Sequence, residues 1–136
     1  MPDYRDPGLS PDERVRDLLA RMTLAEKAAQ MMCVWQEKAK TLLDETGDFD
    51  LEKARAAFRE GRGIGQVGRP SDAGGGKGPR AQAELTNAIQ KFFLEHTRLG
   101  IPVVFHEECL HGQAAPGGTS FSQPIGLAAT FDPAMV

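Results

Sequence analysis

The chain of 136 residues has a formal net charge of −3, with 40% hydrophobic and 26% charged residues, which is typical of a small globular domain. The lack of a basic surplus excludes nucleic acid as a natural partner. No apolar run suits a signal peptide or a membrane span, so we expect a cytoplasmic protein without a membrane partner. Cys33 and Cys109 fit a reducing compartment and form no disulfide framework.

Two capping boxes predict the first two helices. In each, a hydroxyl residue is followed three positions later by a glutamate: Ser10 with Glu13, and Thr23 with Glu26. Apolar residues at helical spacing follow both boxes. The stretch 34–50 carries only a weak signal and is interpreted as a helix end and a loop.

The rest of the chain alternates between helical and strand patterns. A long helix over 80–98 has a clear apolar stripe, which consists of Leu85, Ala88, Ile89, Phe92 and Phe93. The other predicted elements are a helix over 51–60 that Gly61 ends, a thin strand over 63–68, a glycine-rich loop over 69–79, a strand over 101–105 buried on both faces, a long loop, and a helix start at Asp132.

The order strand, helix, strand predicts a βαβ unit, and therefore an α/β fold with a parallel sheet. Two strands cannot make a stable parallel sheet, so we expect residues 1–136 to be the incomplete front part of a larger domain. We also expect exposed strand edges and the stripe of the long helix to lack partners in the isolated chain, which would then be partly unfolded or would aggregate.

The strand over 101–105 is followed at once by polar residues, namely His106, Glu107 and Glu108. In parallel α/β folds, ligands bind at the carboxyl ends of the strands. Neighbouring residues at a strand end point to opposite sides. One carboxylate can therefore face a cleft while the other faces the supporting structure, and a solvated pair on a loop is the alternative.

Two glycine-rich patterns suggest phosphate binding but lack the required context. Residues 63–68 match GxGxxG, yet no strand precedes them and no helix opens on them, so we interpret them as a closely packed strand. Residues 74–78 resemble a phosphate loop, but Ser71 stands where a glycine is needed and no hydroxyl follows Lys77. A flexible loop is the better interpretation.

A zinc site made by His106, Cys109 and His111 is a further alternative. The two histidines are five residues apart, which places them on different sides of a helix. We favour a structural, hydrogen-bonding role for His111 and a small buried side chain for Cys109.

The strand end belongs to a wider pattern that covers most of the chain. The residues that carry it are 98–102, 105–112, 115–117 and 123–133, together with the opening helices over 14–32. This pattern resembles the N-terminal domain of glycoside hydrolase family 3, which contains β-glucosidases and β-xylosidases.

The resemblance implies the front portion of a parallel (β/α)8 TIM-type barrel and hydrolysis of a β-linked glycoside or oligosaccharide with retention, without a cofactor or metal. It places the nucleophile and the acid/base outside this chain, in the barrel remainder and a C-terminal domain, so that 136 residues alone would be inactive. Within the chain it implies a sugar-binding carboxylate at Glu108 and a supporting position for His111. Glu107, the neighbour of Glu108, is then the carboxylate that we expect to face the supporting structure.

Glu108 stands where many family members have aspartate. The longer side chain of glutamate narrows the pocket, which resembles the xylosidase-like branch of the family. Both glucose and xylose stay open as the sugar that is bound. A non-catalytic saccharide-binding or interaction module is the alternative function.

Overall fold

The computed structural model describes residues 3–134. In chain order its elements are α1 (Pro11–Arg21), α2 (Leu24–Ala29), β1 (Cys33–Val34), α3 (Lys38–Thr41), α4 (Leu51–Ala57), β2 (Gln66–Gly68), a 3₁₀ helix (Pro70–Gly75), α5 (Pro79–His96), β3 (Val104–His106) and α6 (Pro124–Ala128). Among the described residues, no helix combines the length and apolarity that a bilayer crossing needs.

The two capping boxes are confirmed at the starts of α1 and α2. The Ser10 hydroxyl accepts from the Glu13 amide at 3.4 Å, and the Glu13 carboxylate accepts from the Ser10 amide at 3.0 Å. The corresponding distances between Thr23 and Glu26 are 3.2 and 2.8 Å. Each box satisfies backbone donors that a helix start leaves unpaired.

The three strands form one parallel sheet in the order β1, β2, β3, as expected for an α/β fold. Val34, Val67 and Phe105 stand side by side across it. The interpretation of 34–50 as a helix end and loop missed the end of β1 and the short helix α3. A two-residue strand has no periodicity, and β1 forms only because β2 pairs with it.

The prediction that 101–105 is buried on both faces is wrong for these residues. The strand begins later, at Val104, which is 61% exposed, whereas Val103 is buried. The Gln90 side chain explains the late start, because its amide pairs with both the N–H and the carbonyl of Val103. The face of the sheet to which Val104 points is therefore largely uncovered at this strand in the described part of the chain.

The expectation that the α5 stripe lacks partners is also wrong. Four of its five members are buried in the core, and Ala88 is half-buried. Phe93 packs edge-on against Phe58 with ring centroids 4.9 Å apart, and Phe92 lies 5.9 Å from Phe49. The core consists of Val34, Leu42, Leu43, Ala54, Ile64, Val67, Ala73, Leu85, Ile89, Phe92, Phe93 and Val103.

Three other predictions differ from the structure. The helix expected over 51–60 ends at Ala57, before Gly61. The loop expected over 69–79 contains the 3₁₀ helix, with Pro70 and Ser71 buried. α6 was missed. Asp132 accepts a hydrogen bond from the Ala134 amide at 3.0 Å. The prediction of a helix that starts there falls largely outside the described residues.

Candidate functional site

The carboxyl ends of the three strands bring polar side chains from distant parts of the chain to one edge of the sheet. Trp35 follows β1, Arg69 follows β2, and Glu107 follows β3. Arg69 extends the pairing beyond β2, because its N–H donates to the His106 carbonyl at 2.7 Å. Parallel sheets bind ligands at this edge, so these residues define the candidate site.

Glu107 is held by three hydrogen bonds and is half-buried. Its Oε1 accepts from the Ser71 backbone N–H and from Gln82 Nε2, both at 2.8 Å, and its Oε2 accepts from Ser71 Oγ at 2.7 Å. Ser71 is buried in the 3₁₀ helix, and Gln82 lies in the first turn of α5. Glu107 therefore joins three segments of the chain.

Glu108 differs from Glu107 in its exposure and in its hydrogen-bond partners. It is exposed, and no group in the described part of the chain forms a hydrogen bond or ion pair with its carboxylate. The pair thus divides into one carboxylate with partners inside the chain and one exposed carboxylate. A free carboxylate at this edge can accept hydrogen bonds from a ligand.

His111 contributes its main chain to the loop after β3. Its carbonyl accepts from the Phe121 N–H at 2.6 Å, which closes the loop 112–120. Gly112, with φ of 90°, packs so closely against Thr119 that a Cβ would overlap the Thr119 carbonyl oxygen. The supporting role implied for the His111 side chain stays a prediction.

Asp72 collects three donors, two from neighbouring strand ends and one from α3. Lys38 Nζ lies 3.0 Å from its Oδ1, while Trp35 Nε1 and Arg69 Nε lie 3.4 and 3.6 Å from its Oδ2. Lys38 is buried and also donates to the Gly68 carbonyl at 2.7 Å. A buried ammonium with two oxygen partners fixes the position of Asp72.

Gly68 allows the ends of β1 and β3 to close over β2. A Cβ at Gly68 would lie 2.7 Å from His106 Nε2 and 3.4 Å from Trp35 Cβ. His106 Nδ1 lies 3.2 Å from Gln66 Oε1, a contact in which the imidazole donates. The close packing expected for 63–68 is thus present at Gly68, but the strand predicted there is shorter and covers only Gln66–Gly68.

The alternatives based on metal and phosphate binding find no geometric support at these positions. Within residues 3–134, no three potential ligands among His, Cys, Asp and Glu come together as a metal cluster. Lys77 Nζ pairs with Asp48 Oδ1 at 2.7 Å, and Gly74 packs against the backbone of Thr46 and Gly47. Cys109 is exposed, so the prediction of a buried side chain is wrong.

Several residues at this edge were missed by the sequence reasoning. They are Trp35, Lys38, Arg69, Asp72 and the two partners of Glu107, Ser71 and Gln82. A cluster of charged residues directly after the thin strand 63–68 was a usable signal for Arg69 and Asp72. The signal for Trp35 was absent, because β1 was not predicted.

Comparison with known proteins finds the same family that the pattern of residues resembles. Residues 23–136 match the model of the glycosyl hydrolase family 3 N terminal domain. The chain is 34% identical over 135 residues to a putative beta-xylosidase of Formosa agariphila. The aligned region covers 98% of this chain and 17% of that protein.

Two further relatives have similar identity. Beta-glucosidase C of Emericella nidulans is 33% identical over 100% of this chain and 22% of its own length. The periplasmic beta-glucosidase/beta-xylosidase of Dickeya chrysanthemi is 32% identical over 98% of this chain and 21% of its own. The chain thus spans about a fifth of the length of these relatives. It belongs to glycosyl hydrolase family 3.

Proposed function

We propose that this chain is the front part of the (β/α)8 barrel of a retaining β-glycosidase that acts on β-glucosides or β-xylosides. In this proposal Glu108 binds hydroxyls of the sugar next to the scissile bond, and Glu107 and His111 support the loop that carries it. Retaining hydrolysis uses a nucleophile and an acid/base carboxyl group. We assign both to parts of the protein outside these 136 residues.

The observation that carries the proposal is the difference between the two adjacent carboxylates in partners and exposure. Glu107 has three partners within the chain, and Glu108 is exposed at the carboxyl end of the same strand. A barrel with its active site at the carboxyl ends of its strands would use such a free carboxylate toward a ligand. Hydrogen bonds to a charged acceptor are worth about 1.5–3 kcal/mol each.

A larger barrel is supported by the apolar surface of the last third of the chain. Val104 on the sheet edge is exposed, and so are four large side chains that follow it: Leu110, Phe121, Ile125 and Phe131. Apolar surface of this extent is normally covered by another part of a protein. We assign its cover to the remaining strands and helices of the barrel.

The test is kinetic and uses the product of the complete open reading frame. Glu108→Gln keeps the shape of the side chain but removes its charge. We expect kcat/KM for an aryl β-glucoside or β-xyloside to fall by roughly one to two orders of magnitude, with little change in melting temperature.

Glu107→Gln is the matched control, because it makes the same chemical change one residue away. Since its carboxylate accepts three internal hydrogen bonds, its main effect should be a lower melting temperature. A large kinetic loss at Glu107 with normal kinetics at Glu108 would reverse the assignment. Saccharide binding without turnover by the complete wild-type protein would favour the non-catalytic module instead.

A further inference from the structure

We propose that His106 accepts a hydrogen bond from the sugar that Glu108 binds, and that Gln66 is a positioning residue that holds the imidazole of His106 in the required tautomer. This inference rests on the glycosidase function proposed above and deepens it, because it names two further residues of that site. The ligand group is a hydroxyl of a neutral sugar, which donates to the Nε2 atom of His106.

Gln66 and His106 lie on the face of the sheet that points away from the core. Val34, Val67 and Phe105 pack on the core from the other face. Because side chains alternate along a strand, Gln66 and His106 point to the opposite side, and both are exposed in the described part of the chain. In the barrel proposed above, helices surround the strands, so this exposed face becomes the inside of the barrel.

Two polar residues are unusual on the inner face of a barrel. Such an interior is normally filled with bulky branched side chains. Here β2 contributes Gln66 and β3 contributes His106. Polar groups inside a folded protein need hydrogen-bond partners. One contact joins these two side chains, His106 Nδ1 to Gln66 Oε1 at 3.2 Å, and it satisfies only one of the two imidazole nitrogens.

The contact with Gln66 decides which nitrogen of His106 can accept a hydrogen bond. Gln66 Oε1 is an acceptor without a proton, so His106 Nδ1 carries the ring proton. In the neutral imidazole, Nε2 then has a lone pair for a donor. No group within the described residues 3–134 forms a hydrogen bond with Nε2. The pair therefore presents an unused acceptor.

Gly68 places this acceptor at the carboxyl edge of the sheet. A Cβ at Gly68 would lie 2.7 Å from His106 Nε2 and 3.3 Å from its Cε1, so the imidazole edge occupies the space of a side chain at position 68. Gly68 is the last residue of β2, the middle strand of the described sheet. Nε2 thus stands over the carboxyl end of this strand, where parallel sheets bind ligands.

The position of His106 along the chain fits a shared ligand with Glu108. The two residues are two positions apart, so their Cα atoms are separated by at most about 7 Å. One sugar ring can therefore reach both side chains. Each would accept from a different hydroxyl, because the carboxylate and Nε2 are both acceptors. A ring held by two hydrogen bonds in different directions keeps one orientation, which catalysis requires.

The first experiment measures kcat/KM of the complete protein on methyl β-glucoside and methyl β-xyloside. His106→Leu removes both nitrogens with little change in volume, and we expect it to lower kcat/KM on the cleaved glycoside about tenfold. His106→Gln places an amide oxygen near the position of Nε2 and should recover most of the loss. Unchanged kinetics in His106→Leu, or a loss that glutamine does not recover, would overturn the assignment.

His96→Gln is the matched control, because it makes the same replacement at another exposed histidine. His96 stacks on Phe92 at the end of α5 that leads into β3, away from the carboxyl ends of the strands. This variant should keep the kcat/KM of the wild type. A loss equal to that of His106→Leu would show that the kinetic effect is not specific to the strand end.

The second experiment tests Gln66 by nitrogen NMR of isotopically labelled protein, which reports the tautomer and needs no turnover. At mildly alkaline pH we expect the proton of His106 on Nδ1 in the wild type, and on Nε2 in part of the molecules of Gln66→Leu. The signals are identified by their absence in His106→Leu. The same tautomer in both proteins would refute the positioning role of Gln66.

Kinetics of the double variant give a second measure of the coupling. Gln66→Leu alone should lower kcat/KM, but in a protein that already carries His106→Leu it should have little further effect, since Gln66 acts through the imidazole. Additive losses would show that Gln66 acts independently of His106.

A binding measurement separates this inference from the proposed function. If the complete wild type cleaves neither glycoside, the glycosidase function fails, and NMR titration with glucose and with xylose decides the role of His106. A shift of the Nε2 signal on binding, with an affinity about tenfold lower in His106→Leu, would support the inference. Absence of binding, or binding that leaves the signal and the affinity unchanged, would refute it.

Discussion

Glu26 and Arg98, which are 72 residues apart, form a bidentate ion pair. Arg98 Nε donates to Glu26 Oε1 at 2.6 Å, and Arg98 Nη2 donates to Oε2 at 2.5 Å. The same Nη2 donates to the Arg21 carbonyl at 2.8 Å at the end of α1. Because Glu26 also closes the capping box of α2, one carboxylate joins the first two helices to the segment that leads into β3.

The first prediction is that Glu26→Gln destabilises the protein by about 1.5–3 kcal/mol. Glutamine still caps α2, because it can accept from the Thr23 N–H, but it loses the charge that pairs with Arg98. Glu13→Gln is the control, since Glu13 forms the same capping box on α1, and the charge of Arg16 is the smallest of the influences that lower its pKa. Urea unfolding of both variants measures the difference, and equal effects would contradict a role for the ion pair.

The second prediction concerns acid stability. The hydrogen bonds from Arg98, helped by those from Thr23, outweigh burial and lower the pKa of Glu26 from its ordinary value of 4.5 to about 2. A carboxyl group with a lower pKa in the folded state stabilises the protein fully above its unfolded pKa. This contribution is lost as the pH falls from about 4.5 toward 2.

The measurement is the free energy of unfolding of wild type and Glu26→Gln over that range of pH. The wild type should lose more stability than the variant, so that the two converge near pH 2. A difference that stays constant down to that pH would show that the pKa of Glu26 is not depressed in the folded protein.

The third prediction is that Gly65→Ala destabilises the protein by about 1–3 kcal/mol. A Cβ at Gly65 would overlap the Gln30 carbonyl oxygen and lie 2.7 Å from the carbonyl carbon. Movement is restricted, because the Gly65 N–H donates to Ala29 and its carbonyl accepts from Val104. Thermal melting tests this.

Gly126→Ala provides the matched control. A Cβ at Gly126 meets no atom within 4 Å, and alanine favours a helix such as α6. The melting temperature should therefore stay the same or rise. If both variants melted alike, close packing would not explain the glycine at position 65.

The sequence alone determined the elements whose cause is local. The capping boxes at Ser10 and Thr23 need only four consecutive residues, and the α5 stripe repeats at the helical period, so both were predictable. The strand end at Glu107 and Glu108 was predictable for the same reason, because an abrupt change of polarity after an apolar strand involves neighbouring residues. The resemblance to the family added the prediction that Glu108, and not Glu107, binds the sugar.

Only the tertiary structure decided the features that depend on distant partners. β1 exists because β2 pairs with it 33 positions later in the register, Cys33 with Gln66. Glu107 is fixed by Ser71 and Gln82, which lie 36 and 25 residues away. No local pattern encodes such pairings, because their free energy arises when the folded chain brings the partners together. Trp35 and Asp72 became neighbours for the same reason.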